Sequence, residues 1–139
     1  MLPSELSDLE AAVLAKLAEG SSQPLEMLRA QIASATVTER KMTGVGFYTT
    51  LHVPEEVPPV PRVSRGPFGD VSAEIEGLTN GAGFLLWFDN GRISQLEGFA
   101  YKGSWPETVK GFTLRYNASE RDLRGIDPPA WTRPTTPKP

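Results

Sequence analysis

Between Asp70 and Pro106 the chain sets three apolar, β-prone runs against two groups of turn-forming residues. Asn80-Gly81 and Asp89-Asn90-Gly91 tolerate the positive φ that hairpin turns require, and Trp105-Pro106 closes the third run. The pattern predicts three consecutive antiparallel strands, which rules out an all-helical or a purely parallel fold. In the first run Val71, Ala73 and Ile75 alternate with Ser72, Glu74 and Glu76, giving one apolar and one acidic face. In the second, Gly83 to Phe88, Phe84, Leu86 and Phe88 on one side oppose Leu85 and Trp87 on the other. That is the pattern of a central strand covered on both faces. Along Arg92 to Tyr101 the apolar residues change parity between Ile93 and Leu96 and back at Phe99. A β-bulge near Glu97-Gly98 accounts for the shift.

Upstream, Leu6, Leu9, Val13, Leu14 and Leu17 recur at helical spacing, predicting a helix from about Ser7 to Glu19. Ser7 is its N-cap, Glu10 completes a capping box, and Gly20 sits at the C-terminal cap. A second helix runs from Pro24 to about Ala33, burying Leu25, Leu28 and Ile32 with Met27 beside them. Val45, Phe47, Thr49, Leu51 and Val53 then alternate with Gly46, Tyr48, Thr50 and His52, a half-buried strand whose first set faces the helices. Phe112 to Tyr116 is the last strand. The fold class expected is therefore α+β, with two N-terminal helices on one face of an antiparallel sheet of about five strands.

At 139 residues the chain fits one domain, taken as 1–127. Five prolines between Pro54 and Pro67 exclude a helix or a central strand there. Val57, Val60 and Val63 lie three apart, matching a polyproline II connection that lays its valines on the domain. Pro58-x-x-Pro61 followed by Arg62 is also a pattern that adaptor domains bind. A Pro-rich tail with few apolar anchors, 128–139, is expected to be disordered. The net charge of −3 and the scattered Lys and Arg argue against nucleic acid as a partner. No apolar run approaches the roughly 20 residues of a membrane helix. Met1 to Ala12 carries Glu5, Asp8 and Glu10 and no basic leader, so a soluble cytoplasmic protein is expected. Absence of cysteine excludes disulfides, thiolate metal sites and cysteine nucleophiles.

Few residues can carry chemistry. His52 is the only histidine, which excludes a two-histidine metal site and a histidine relay. It points away from the helices beside Tyr48 and Thr50, and would meet Glu74 and Glu76 if the two strands pair, as a wet polar face or as an acid–base or metal-binding group. Glu97 lies inside an apolar strand, and a buried carboxylate needs a partner, with Arg40, Arg92 and Arg115 available. Paired with Glu74 across a cleft of about 5–10 Å it would suit glycoside hydrolysis. Gly44-x-Gly46 and Gly81-x-Gly83 open no helix and lack the remaining residues of nucleotide-binding loops, and no Gly-x-Ser-x-Gly elbow is present. Trp87, Phe99, Tyr101 and Trp105 with Tyr48 fill a core or line a pocket or interface. No metal and no cofactor are expected.

The segment from Gly81 to Tyr101, ending at Trp105-Pro106, resembles a pattern in small uncharacterised bacterial proteins, some of them immunity or antitoxin-type proteins. The pattern is an apolar strand (Phe84 to Phe88), an Asp/Asn-Gly turn (Asp89 to Gly91) and a Ser-x-Leu-Glu strand leading to an aromatic (Ser94 to Phe99). Thr43-Gly-Val-Gly-Phe47 is similar to the same proteins. The resemblance implies an α+β fold and a bacterial origin, and no activity. The function expected is a non-enzymatic, immunity-like protein-interaction domain. It would bind another protein, such as a toxin, or itself as a homodimer, through an open sheet face or an edge. The alternative is a small-ligand or hydrolytic domain with a pocket around Glu97 and His52. Candidate ligand or interface residues are Tyr48, His52, Glu74, Trp87, Glu97, Tyr101 and Trp105.

Overall fold

The computed structural model describes residues 5–128, so all but the first residue of the Pro-rich tail lies outside it. Helix α1, Asp8–Leu17, starts at Ser7, whose hydroxyl accepts from the Glu10 amide while the Glu10 carboxylate accepts from the Ser7 amide. This is the capping box expected from the sequence. Helix α2, Gln23–Ser34, begins with Pro24 in its first turn and buries Leu25, Leu28 and Gln31, whereas Ile32 is only half-buried. Arg29 ties the two helices by donating to the carbonyls of Ala18 and Gly20.

Six strands follow among the described residues: β1 Thr36–Met42, β2 Gly46–His52, β3 Val71–Ile75, β4 Ala82–Asp89, β5 Arg92–Ala100 and β6 Phe112–Tyr116. They form one antiparallel sheet in the order β1-β2-β5-β4-β3-β6. The class is α+β, with β1 an edge strand additional to the runs expected. The β3-β4-β5 meander is as predicted, and Asn90 (φ 51°) and Gly91 (φ 84°) make the two-residue turn between Asp89 and Arg92.

Three expectations are corrected. First, β2 pairs with β1 and β5, not with the strand carrying Glu74. Second, the bulge lies at Ser94: Trp87 pairs with Gln95 but Phe88 with Ile93, so Ser94 is the unpaired residue. From there Leu96 and Gly98 point into the core and Glu97 points away from it. Gly98 is needed for another reason, because a side chain there would strike the Phe47 ring, which packs edge-on against Trp105 at 5.4 Å. Third, β4 is not sealed on both faces. Phe84, Leu86 and Phe88 are fully buried, but Leu85 and Trp87 on the other side are only half-buried.

The core lies between the sheet and the two helices. Leu9, Val13, Leu14 and Leu17 of α1 and Leu25 and Leu28 of α2 join Phe47, Leu51, Phe84, Leu86 and Leu96 in one hydrophobic cluster. The connection 54–67 spans the two strands that separate β2 from β3, and it does lay its valines down: Val60 and Val63 are buried. It crosses the β4–β5 turn, where the Val60 amide donates to the Gly91 carbonyl at 2.8 Å. The fully buried Gln31 amide fastens this crossing. It donates to the carbonyls of Pro58 (3.1 Å) and Gly91 (2.9 Å) and accepts from the Ile93 amide (2.9 Å). The connection then runs beside β4, with the Phe88 and Asn90 amides donating to the carbonyls of Arg65 and Ser64. A buried Asp70–Arg121 pair, bonded twice at 2.8 and 2.9 Å, ties the last described segment to the start of β3. Among the described residues no helix is long and apolar enough to cross a membrane.

Candidate functional site

Because both helices lie against one face of the sheet, the alternate residues of the strands form the other face. No described helix or strand covers it. Its centre is built by three neighbouring strands whose register aligns Tyr48 with Glu97 and Leu85, and Thr50 with Gln95 and Trp87. The Trp87 indole Nε1 donates to Glu97 Oε1 at 3.1 Å, across the diagonal of the β4–β5 pair. This bond fixes the indole over the sheet and leaves the second carboxylate oxygen without a side-chain partner among the described residues. A shallow depression of about 420 Å³ results, lined by Tyr48, Thr50, Trp87, Ser94, Gln95 and Glu97, with Arg65 of the Pro-rich connection at its rim.

Three of the seven candidate residues, Tyr48, Trp87 and Glu97, therefore come together. Glu97 is not a buried anion paired with an arginine. It is half-exposed, its partner is an indole, and Arg40, Arg92 and Arg115 bond elsewhere, to Glu10, to the Glu55 carbonyl and to Glu74. His52 is exposed at the end of β2 opposite Thr36, on the same face but outside the depression. Two strands, β5 and β4, separate it from Glu74 and Glu76, so the expected His–Glu–Glu group does not form. Among the described residues no cluster of His, Cys, Asp or Glu could hold a metal ion.

Glu74 is exposed on β3, with an ion pair to Arg115 at 3.4 Å, and lines a different depression from Glu97. The structure does not bring the two together as a hydrolytic couple. Tyr101 lies just beyond β5, covering Gly83, with its hydroxyl 2.7 Å from Ser72 Oγ and its ring edge-on to Phe99 at 5.7 Å. Trp105 belongs to the core edge, against Phe47.

Sequence reasoning passed over Arg65, Gln95, Thr50 and Ser94 as site residues. Thr50 shares the period-2 face of Tyr48 and carried the available signal. Arg65 sits in the connection, where no periodicity reports orientation. Two carboxylates are buried among the described residues, Asp70 and Glu10; Glu10, only 2% exposed, accepts from Arg40 Nη2 at 2.6 Å, Arg40 Nε at 2.8 Å and the Thr49 hydroxyl. Burial works to raise its pKa, but the hydrogen bonds from Arg40, Thr49 and Ser7 outweigh that and hold the carboxyl below its ordinary value.

No protein-family model matches the chain, and no curated protein or solved structure is significantly similar to it.

Proposed function

We propose that the protein is a protein-interaction domain that binds its partner on the open sheet face, with Trp87 and Tyr48 as anchors. One observation carries this reading: a half-buried tryptophan is held by Glu97 in the middle of a sheet face that no described helix or strand covers. Fixing the indole in advance lowers the entropy lost on association. Tryptophan and tyrosine are enriched among the residues that dominate binding energy, and the surrounding Thr50, Gln95 and Glu97 supply the polar rim such anchors usually have. The hairpin that carries Trp87 and Glu97 is the segment resembling immunity and antitoxin-type proteins, so the partner proposed is a toxin of a bacterial cell. A second copy of the chain is the competing occupant.

The test is co-purification with the product of the neighbouring gene, for the wild type and for two variants. Trp87→Ala should weaken the complex by about 2 kcal/mol or more, roughly thirtyfold. Glu97→Ala removes the acceptor that holds the indole and should weaken association while leaving unfolding stability within about 1 kcal/mol of wild type. Light scattering separates a 1:1 complex from a homodimer. A complex that forms undiminished with both variants would refute the proposal.

A further inference from the structure

The Pro-rich connection and the last described segment flank an open cleft of about 760 Å³ whose lining includes Arg62, Arg65 and Arg124 and a single carboxylate, Asp122. In a chain with 14 Lys and Arg against 17 Asp and Glu, this is a local reversal of sign. Two of the guanidinium groups are held in place. Arg62 donates through Nη1 to the Pro128 carbonyl (2.8 Å) and through Nη2 to Asp127 (3.0 Å), which leaves its Nε. Arg124 donates through Nε and Nη2 to Asp122, both at 2.9 Å, which leaves its Nη1. Arg65 makes no side-chain hydrogen bond or ion pair among the described residues, so its five N–H donors are unused. Its backbone is nevertheless anchored, because its carbonyl accepts from the Phe88 amide at 2.8 Å.

We propose that this cleft binds a small multivalent oxyanion, a phosphate ester or a polycarboxylate, whose oxygens bridge Arg65 and the unused edges of Arg62 and Arg124. Guanidinium forks match the spacing of carboxylate and phosphate oxygens, and the cleft has the volume of a small-molecule site. Asp122 and Asp127 offset two of the three charges, so what selects the ligand is the number of its oxygens: an anion with several can reach Arg65 and the free N–H groups of Arg62 and Arg124 at once, whereas a monodentate one reaches Arg65 alone. The two Arg–Asp pairs are exposed and weak, so an incoming oxyanion can share their donors. Arg65 also lines the depression around Trp87, so the two sites are neighbours, but the anchors of the protein-binding reading, Trp87 and Tyr48, are not part of this one.

The test is a titration of the full chain with pyrophosphate and, separately, with citrate at constant ionic strength, followed by backbone amide NMR. Saturable shifts confined to the amides around Arg65, Gly69 and Gly125 are expected. Arg65→Gln should weaken binding about tenfold or more, and Arg124→Gln should weaken it as well. Arg115→Gln, an exposed cation outside the cleft, should leave it unchanged. Binding of both anions supports a site for oxyanions in general, and binding of one alone supports the site and assigns the ligand to that class. Shifts that do not saturate, that follow every surface cation, or that persist in full in Arg65→Gln would overturn the proposal.

Discussion

Glu10 does three jobs with one carboxylate: it completes the cap of α1, receives Arg40 from the edge strand β1, and receives Thr49 from the core side of β2. Its neutral form keeps the packing but loses the charge-assisted bonds, leaving Arg40 half-buried without a counter-charge. Glu10→Gln should therefore destabilise the protein by about 2–4 kcal/mol at neutral pH in chemical denaturation. The sign of the pH dependence follows from the depressed pKa. The contribution of Glu10 is complete above its ordinary value of 4.5 and is lost as pH falls through the lower folded-state value. Wild type and variant should thus converge in stability as the pH is taken below the folded-state value. A gap of constant size from neutral to acid pH would show that the charge of Glu10 is not what the fold uses. Ser7-x-x-Glu10 was legible in the sequence as a capping box because that contact is local. Its long-range partners were not, since nothing near Glu10 marks Arg40 or Thr49 as neighbours.

At the scale of elements, the β4–β5 hairpin was legible because turn chemistry is local and Asn90-Gly91 has few other uses. Its surroundings were not. Gly91 is required twice over, once for its positive φ and once because the connection crosses it, with the Val60 carbonyl 2.6 Å from where a Cβ would sit. Gly91→Ala should cost about 2 kcal/mol or more, measured as a lowered denaturation midpoint. An unchanged midpoint would mean that the connection does not clamp the turn. Strand β1 was missed because Glu39, Arg40 and Lys41 mask its alternation, and charge on an edge strand is a common guard against unwanted pairing. The misplaced bulge had the larger consequence. The bulge lies three positions earlier than expected, at Ser94, and the regular alternation that follows it puts Glu97 on the face away from the core. A residue read as a buried anion is therefore the holder of a surface tryptophan.

For the whole molecule, the order of the sheet decides what can be a site. Placing β4 and β5 between β2 and β3 separates His52 from Glu74 and Glu76 and dissolves the acid–base group built on the single histidine. The same order brings Tyr48, Glu97 and Trp87 onto adjacent strands at the middle of the uncovered face. Pairing over such sequence distances rests on packing that a one-dimensional pattern does not encode. The helices cover the opposite face, so the two sides of the sheet should differ sharply in what they touch. A photo-crosslinking amino acid placed at Thr50 or Gln95 on the open face, or at the exposed helix positions Ala11 or Glu26, compares them directly in the cell of origin. A discrete adduct of one partner is expected from Thr50 and Gln95 and none from Ala11 or Glu26. Adducts from the helix positions at equal or greater yield, with none from the sheet, would contradict binding on the open face.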